Sequence, residues 1–509
     1  MSAGGRALQP AKASEIAKRE MIRRVGRIAL FLVVGVGVIV AGGHEPIQTV
    51  AEHFQLFSSL SSRSGVETGT RRFAIHYNAA TSLSPRNSMA SIDPTKAREF
   101  AKDVVAKLRE VGFQALWAGG CVRDQLLGCE PKDYDVATNA TPVQVREVFG
   151  KRRTLPIGAA FGVITVLGPR TAGQIEVATF RRDATYSDGR HPDSVAFSNA
   201  EEDARRRDFT INGLFYDPLS EEVIDFVGGR ADLQQRIVRA IGNPEERLSE
   251  DKLRMLRAVR FATTLGFAVH PATMQAVQGH AAELNVVSVE RITAELRRLL
   301  QHANRRRGLE LLRESGLLAQ ILPELERDDV SWRQTLETLE AINEPTIAAV
   351  IALLLRTLHL ETACRDSAEQ VGRRWKLSND ELDGVLLCLK NETTIRNATT
   401  IDWPILQRVL IDPRIEELLC YCEAVALVID GTDATIQFCR EVLARPQAEW
   451  NPVPLLTGND LQRLGIPPGP AYRELLTAVR DGQLNGEISN HEAAIALARS
   501  LWNAGCGET

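Results

Sequence analysis

The sequence is poor in cysteine and has no excess of positive charge. Eight cysteines in 509 residues are too few for a disulfide-stabilised secreted protein, which favours a reducing, cytoplasmic setting. Only Cys420 and Cys422 lie close together, and a single C-x-C pair is a weak signal for a metal site. The net charge of -4 excludes a globally basic chain, so nucleic-acid binding must come from local patches.

The first 88 residues differ from the rest, because they carry about twice as many basic as acidic side chains. Within them, residues 28–43 form an uncharged apolar run after three arginines, but a membrane helix needs about 20 residues. We expect translation to start at or near Met89, just before the Asp93-Pro94 pattern that begins a helix, and residues 1–88 to be a disordered extension. A membrane tether is the alternative, with membrane contact only if residues 28–43 are translated and inserted.

A pair of aspartates in the segment PKDYDVATNATP, residues 131–142, is the first candidate site. Asp133 and Asp135 are two positions apart, so on a strand they point to the same face. Two adjacent carboxylates repel each other, and a divalent cation between them removes that repulsion. A solvated loop is the alternative interpretation, since a single D-x-D is weak on its own.

A glycine turn before the aspartates is predicted to approach phosphate. Gly119 and Gly120 lie between a short strand and the start of a helix. Glycine lets a backbone come close to a phosphate, and the first helical turn offers N–H groups. Arg123 in that turn is placed to reach the same phosphates, although a tight structural turn also explains the two glycines.

Further charged residues lie between predicted strands. Helices are predicted at residues 94–111 and 141–149, and strands at residues 161–168 and 174–180. Glu176 on the second strand is either a solvated edge residue or a third carboxylate beside the aspartates. The arginine run that ends at Arg207, followed by Asp208, is either a solvated face or, given its position between sheet segments, a contact to polyphosphate.

The segment SEDKLRMLRAVRFATTLGF, residues 249–267, predicts the substrate class. It reads as one helix with Ser249 as a plausible N-cap. Three arginines recur at every third position and therefore spread around the helix: Arg254, Arg257 and Arg260. Asp251 and Arg254 are i, i+3 neighbours, which by itself predicts an ordinary ion pair. An Asp acceptor beside an Arg donor also matches the pairing edges of adenine and cytosine and rejects guanine and uracil.

In their order along the chain, these segments resemble the class II tRNA nucleotidyltransferase (CCA-adding enzyme) and bacterial poly(A) polymerase family of the DNA polymerase beta-like superfamily. The resemblance covers about residues 98–325 and rests on GGCVRDQLLG, KDYDVAT, RRRDFTIN, GGRADLQQRIVRAIGNP, EDKLRMLRAVRF and SVERITAEL. It implies an α+β fold, in which a DNA polymerase beta-like nucleotidyltransferase head with a mixed sheet and helices precedes an all-α neck, body and tail. The implied domains are residues 89–230 for the head, 231–325 for the helical, base-selecting neck and 326–509 for the helical, RNA-binding body and tail.

The same resemblance implies roles for the candidate residues. Asp133 and Asp135 would bind the catalytic Mg²⁺, with two ions expected, and Glu176 is a third candidate carboxylate. Nucleotide contacts are implied for Gly119, Gly120, Arg123, Arg207, Asp208, Asp251, Arg254, Arg257 and Arg260. The basic run 291–307 either contacts RNA phosphate or covers a solvated helix face, and its RNA-binding candidates are Arg291, Arg297, Arg298 and Arg305.

Two activities occur in this family. CCA-adding enzymes build CCA on tRNA 3′ ends from CTP and ATP and release pyrophosphate, whereas poly(A) polymerases add A tails. The segments DATYSDGRHPDSVAF and PIGAAFGVITV resemble the CCA-adding form, so CCA addition is the favoured prediction and poly(A) addition the alternative. A non-catalytic RNA-binding module is a weaker alternative. The expected partners are an RNA 3′ end, ATP and CTP, without a stable protein partner.

Overall fold

The computed structural model describes residues 92–183, 195–325, 329–362 and 365–505. These residues fall within one compact unit, Asn87–Thr509. The apolar run 28–43, Met89 and most of the segment DATYSDGRHPDSVAF lie outside the described residues. No helix in the described ranges is long and apolar enough to cross a membrane.

A mixed sheet of seven strands organises the N-terminal part of the described chain. Its strands are β1 (Ala115–Ala118), β2 (Asp135–Thr138), β3 (Thr154–Leu155), β4 (Val163–Leu167), β5 (Gln174–Thr179), β8 (Leu214–Asp217) and β9 (Glu222–Asp225). The short strands β6 (Arg181–Asp183) and β7 (Val195–Phe197) pair with each other, as do β10 (Ile237–Val238) and β11 (Ala268–Val269). The sheet order is β3-β4-β5-β2-β1-β8-β9, in which β2 and β5 are parallel and the other neighbours antiparallel.

Helices pack around this sheet where local sequence signals predict them. They are α1 (Pro94–Glu110), α2 (Gly120–Leu126), α3 (Pro142–Phe149), α4 (Ala200–Arg205) and α5 (Gly229–Gln235). The side chain of Asp93 accepts bonds from the first free N–H groups of α1, and Thr141 forms a capping box with Gln144 at the start of α3. The predicted helices at residues 94–111 and 141–149 and the strands at 161–168 and 174–180 are confirmed, with ends shifted by one or two residues.

The segment predicted as one helix from Ser249 is two helices, so that prediction was wrong. Helix α6 (Pro244–Glu250) begins earlier, because Asn243 caps it and Pro244 occupies its first position. Helix α7 (Leu253–Leu265) follows after a break. Asp251 lies in this break with an extended backbone, φ -145° and ψ 106°, so Ser249 sits inside α6 rather than capping α7.

Every regular element that the structure describes after β11 is helical. The helices are α8 (Pro271–His280), α9 (Val289–Leu300), α10 (Arg305–Glu314), α11 (Leu317–Ile321), α12 (Asp329–Ala341), α13 (Ile347–Thr362), α14 (Arg365–Arg374), α15 (Asn379–Arg396), α16 (Trp403–Leu410), α17 (Ile415–Ile429), α18 (Ala434–Ala444), α19 (Gln447–Trp450), α20 (Gly458–Arg463), α21 (Pro470–Leu484) and α22 (His491–Gly505). One large apolar core runs from α1 through α18, whereas α20 to α22 pack on a separate small cluster. The predicted fold class, a head with a mixed sheet followed by a helical remainder, is confirmed. The domain boundaries stay predictions.

Candidate active site

Two carboxylates are neighbours on central strands of the sheet, and a third lies just before one of these strands. Asp135 begins β2, and Glu176 is its direct neighbour on the parallel strand β5. Asp133 lies in a bend just before β2, not on the strand as predicted. Between the two aspartates, Tyr134 is buried with its ring 4.8 Å from that of Trp117, while both aspartates are exposed. The alternation therefore presents both aspartates on the open side, next to Glu176.

The negative charges near Asp135 disfavour the ionised form of its own carboxyl group. Although Asp135 is exposed, surrounding protein atoms displace part of the water around its carboxylate; this desolvation and the negative charges of Glu176 and Asp133 raise its pKa to about 6, and Arg207 opposes the shift. A bound cation would remove this penalty. Among the described residues, no three His, Cys, Asp or Glu side chains are grouped closely enough to hold a metal ion by themselves. The residues fit Mg²⁺, which proteins hold through one or two carboxylates together with substrate phosphates.

The glycine turn is shaped by the side chain that lies over it. Gly119 has φ 74° and ψ -124°, a conformation that favours glycine, and it directly precedes α2. A Cβ atom at Gly119 would lie only 2.8 Å from Nη1 of Arg207. Gly120 follows with Nη2 of Arg123 close to its missing side chain. The turn therefore leaves room for two guanidinium groups, as expected for a phosphate cradle.

Arg207 is held in place by a buried acid that the sequence interpretation missed. Asp203 on α4 is 1% exposed, and its Oδ2 accepts bonds from Nε (3.2 Å) and Nη2 (3.0 Å) of Arg207. Nη1 of Arg207 donates to the backbone oxygen of Asn212 at 3.3 Å. The i, i+4 spacing of Asp203 and Arg207 is the signal that could have found this pair, but from the sequence only the arginine run and Asp208 were considered.

A side-chain amide connects Arg123 to the acid Asp208. Oδ1 of Asn212 accepts from Nη1 of Arg123 at 2.8 Å, and Nδ2 of Asn212 donates to Oδ1 of Asp208 at 3.0 Å. Asn212 is buried and was not among the predicted site residues. No spacing rule singles it out, because its role depends on two charged residues from different elements.

Asp208 is an interior residue whose oxygens are already bonded. Oδ1 also accepts from the N–H of Phe209 at 2.8 Å, and Oδ2 accepts from Nε and Nη2 of Arg257 at 2.9 and 2.6 Å. Burial alone would raise the pKa of Asp208, but the Arg257 charge and the bonds from Asn212 and Arg257 lower it to about 2. The predicted direct contact of Asp208 with a nucleotide does not fit this arrangement, since the carboxylate joins the head to α7.

Three arginines from α2 and α7 surround one aromatic ring of α7. The Cζ atoms of Arg260, Arg257 and Arg123 lie 3.8, 5.1 and 5.3 Å from the ring centre of Phe261. Glu295 on α9 is buried and pairs with Arg260 and, at 3.5 Å, with Arg257. Arg260 is itself buried. The guanidinium of Arg260 contacts Glu295 and Phe261, so the predicted direct contact of Arg260 with a nucleotide does not fit this arrangement.

The predicted base-reading residues do not pair with each other. Nη1 of Arg254 bonds to Oε2 of Glu250 (2.5 Å) and to the backbone oxygen of Arg247 (2.8 Å), and its Nη2 bonds to the backbone oxygen of Arg206 (3.2 Å). Asp251 instead pairs with Arg291. The ordinary i, i+3 ion pair is absent because Asp251 lies in the break before α7.

The four predicted RNA-binding arginines have different environments. Arg298 is 66% exposed and fits a contact with RNA, whereas Arg291 pairs with Asp251 and Arg297 with Glu381. Arg305 is buried, and it donates to the backbone oxygens of Leu300, Leu339 and Ile342. The prediction that Arg305 contacts RNA is wrong for this structure, because its donors are used to join α9, α10 and α12.

Comparison with known proteins agrees with this geometry. The family described as "Poly A polymerase head domain" matches residues 115–239, and the family described as "Probable RNA and SrmB- binding site of polymerase A" matches residues 266–329. The CCA-adding enzyme of Levilactobacillus brevis is 33% identical over 410 residues, which cover 79% of this chain and 97% of that protein. The chain belongs to the family of CCA-adding enzymes.

Other CCA-adding enzymes match over a similar length. The enzyme of Enterococcus faecalis is 33% identical over 419 residues, covering 81% of this chain and 98% of that protein. The crystal structure of the Bacillus stearothermophilus CCA-adding enzyme in complex with CTP has 31% identity and a TM-score of 0.66, and it covers 81% of this chain and 99% of that one. The resemblance and the fold class predicted from the motifs are confirmed.

Proposed function

We propose that this chain adds CCA to tRNA 3′ ends from CTP and ATP and releases pyrophosphate. The observation that carries the proposal is the proximity of Asp133 and Asp135 to the cradle of Gly119, Arg123 and Arg207: the charges of Asp133 and Arg207 both act on Asp135, and Arg207 lies over Gly119. Membership of the CCA-adding enzyme family supports the choice of CTP and ATP, since the relatives that match over most of the chain carry this activity in their names.

Asp133 and Asp135 would hold Mg²⁺, with two ions expected, and Glu176 is placed to act as a third carboxylate. Enzymes of this family generally use divalent metal ions. When bound, Mg²⁺ activates the RNA 3′-hydroxyl and neutralises charge on the triphosphate. The elevated pKa of Asp135, about 6, supports a cation at this position, because partial desolvation and neighbouring anions otherwise disfavour its charge.

The arginines of the cradle would bind and orient the triphosphate. Arg207 is fixed by Asp203 with two bonds, so its guanidinium keeps one orientation over Gly119. Arg123 is fixed by one bond to Oδ1 of Asn212 and by its pair with the neighbouring Asp124. Groups that are already oriented lose little freedom when substrate binds, and such positioning is the main contribution of a protein to phosphoryl transfer.

Asp251 and Arg254 would select the base without a nucleic-acid template. An ionised carboxylate only accepts hydrogen bonds, and a guanidinium only donates them. Cytosine and adenine present an amino donor beside a ring-nitrogen acceptor, so one Asp and one Arg satisfy both. Arg254 is as buried as Arg260, but its bonds to the chain use three of its five N–H groups, which leaves donors for a base.

The substrate RNA would approach across the helical part of the chain. Arg298 on α9 is exposed and offers a positive charge to a phosphate. The tail helices α20 to α22 have their own apolar cluster. The tail segment 456–490, which resembles that of the family, would contact the tRNA elbow.

The test is incorporation into a tRNA transcript that lacks its CCA end. The full chain is incubated with Mg²⁺ and with each nucleoside triphosphate singly and in pairs, and Asp133→Ala is the inactive control. Two C additions followed by one A and a stop are expected. A long A tail from ATP alone would instead support poly(A) addition, which the name of the head-domain family keeps as the second candidate. Binding of tRNA without incorporation of any nucleotide would favour the non-catalytic module.

A further inference from the structure

The carboxylate of Asp251 is fixed from two directions. Helix α6 ends at Glu250 and helix α7 begins at Leu253, so the backbone at Asp251 is extended and belongs to neither helix. Oδ1 of Asp251 accepts from the N–H of Leu253 at 3.1 Å. Oδ2 accepts from Nη2 of Arg291 at 2.7 Å. The local turn therefore orients one oxygen, and a residue 40 positions away orients the other.

Arg291 reaches Asp251 from a helix that packs on α7. It is the third residue of α9, and side chains of α9 and α7 share the same apolar core. The side chains of Arg291 and Asp251 are 24% and 16% exposed. A charge-assisted bond that is shielded from water to this degree is stronger than an ion pair at an open surface. The contact is therefore well suited to fixing the orientation of Asp251.

The partner of Asp251 in base selection is fixed independently. Arg254 is held by Glu250 and by the backbone oxygens of Arg247 and Arg206. The backbone N–H of Arg254 donates to the backbone oxygen of Asp251 at 3.0 Å, but the side chain of Arg254 bonds neither to Asp251 nor to Arg291. The two halves of the base reader are thus positioned by separate groups, and the spacing between acceptor and donor depends on both.

We propose that Arg291 is a positioning residue for nucleotide selection and that its role toward RNA phosphate, predicted from the sequence, is not its main one. The proposal rests on the proposed function of Asp251 in reading the base. Arg291 holds one carboxylate oxygen, so that the remaining acceptor positions of Asp251 keep a fixed direction toward the amino group of cytosine or adenine. A carbonyl group of uracil or guanine at the same place meets an acceptor and is rejected.

A purely structural role for this ion pair gives a different result. If Arg291 only stabilises the packing of α9 on α7, its loss weakens the protein and affects all nucleotides alike. If it orients Asp251, its loss lowers the preference for CTP over UTP, because these nucleotides differ at the group that Asp251 reads. The ratio of the two specificity constants therefore separates the two roles.

The experiment compares Arg291→Gln and Arg291→Lys with wild type in the full chain. The control is Arg440→Gln, which removes an Arg–Glu pair of similar exposure (32% and 19%) between α18 and α17 of the body. We measure kcat/KM for CTP and for UTP on a tRNA transcript that lacks CCA. Arg291→Gln is expected to lower the CTP-to-UTP ratio about tenfold or more, as for loss of a bond to a charged group. The CTP-to-UTP ratio of Arg291→Lys is expected to lie between those of wild type and Arg291→Gln, because the ammonium group keeps the charge but lacks the planar guanidinium geometry.

Several results would overturn the proposal. An unchanged ratio in Arg291→Gln, an equal loss for both nucleotides, or the same fall in the Arg440→Gln control would each do so. If Arg291→Gln does not fold, as judged by circular dichroism, an unchanged ratio in Arg291→Lys counts against the proposal in its place.

Nucleotide binding keeps this test separate from that of the proposed function. Isothermal titration with CTP and UTP in the presence of Mg²⁺ needs no RNA turnover. A wild-type protein that adds nothing to tRNA but binds CTP better than UTP would contradict CCA addition. In that case the ratios of CTP to UTP affinity in the Arg291 variants would still test the role of Arg291. A wild-type protein that binds CTP and UTP equally would overturn the role of Arg291.

Discussion

Replacing Asp208 by asparagine is expected to destabilise the junction between the sheet and α7. The substitution keeps the size of the side chain but replaces one acceptor oxygen by a donor. In one orientation the new NH₂ group faces Nε and Nη2 of Arg257, and in the other it faces Nδ2 of Asn212 and the N–H of Phe209. Both orientations bring donors against donors, so no rotation of the side chain repairs the loss.

The expected magnitude follows from the charge of Asp208. Its pKa lies at about 2, against a usual value of 3.8, because the effects of Arg257 and Asn212 outweigh burial. This difference corresponds to about 2–3 kcal/mol of folding stability at neutral pH. Arg257 would keep Glu295 at 3.5 Å as a second partner, so the loss should stay near this value and below the upper range for a broken buried pair.

Equilibrium urea unfolding of the full chain measures this effect. For an m value near 3 kcal/mol per M, a loss of this size lowers the midpoint by roughly 1 M. The control is Asp430→Asn, which removes the carboxylate that pairs with Arg396 and is 37% exposed. Because exposed ion pairs contribute about 0–1 kcal/mol, the control should shift the midpoint far less.

The pH dependence provides the sharper check. A carboxylate with a lowered native pKa contributes stability above its unfolded pKa and loses it as the pH falls through the native value. The difference between wild type and Asp208→Asn should therefore be constant from neutral pH to about 5 and shrink below about 4. A midpoint like that of the Asp430→Asn control, or a difference that does not shrink on acidification, would refute the reasoning.

Three further changes test other parts of the site. Asp135→Asn should lower CMP incorporation on the order of a hundredfold or more without changing circular dichroism, because an amide cannot hold the expected cation. Gly119→Ala should raise the KM for CTP about tenfold, since the new Cβ would lie 2.8 Å from Nη1 of Arg207. The control Gly128→Ala should leave the KM unchanged, because Gly128 has the same φ of 74° but no atom within 4 Å of a Cβ at that position. Arg305→Met should lower the free energy of unfolding by about 2–4 kcal/mol by removing the donor to three carbonyl groups, and leave tRNA affinity in a gel-shift assay unchanged. A selective loss of tRNA affinity would restore Arg305 as an RNA contact.

Local signals were sufficient where the chain itself supplies both partners of an interaction. Helix α1 starts at Pro94 because Asp93 precedes it, and α3 starts after Thr141 because Gln144 completes a capping box. Strand β5 follows from its alternation of apolar and other residues, and β4 from a short, nearly continuous apolar run. The motifs were specific enough to identify the family, since their order along the chain carries more information than any one of them.

Interactions between distant segments could not be predicted in the same way. The placement of Glu176 beside Asp135 depends on the register of two parallel strands, which the sequence between them does not specify. Spacing rules predicted an ion pair between Asp251 and Arg254, but they assume an unbroken helix, and the backbone breaks at Asp251. Arg305 was predicted to lie at the surface with the rest of the basic run 291–307. In the structure it is a buried donor to interior backbone carbonyl groups.

The charges around Phe261 limit the routes by which this neck can change over evolution. Asp208 and Glu295 are buried and offset the charges of Arg257, which is 30% exposed, and of Arg260, which is buried. Losing either acid first leaves two neighbouring arginines without one of their counter-charges, and losing an arginine first leaves a buried anion short of a partner, at up to about 3–5 kcal/mol for either step. Replacing the acid and the arginine together by apolar residues can leave the folding stability nearly unchanged. We therefore expect these positions to be inherited as a block, because each single replacement passes through a less stable ancestor.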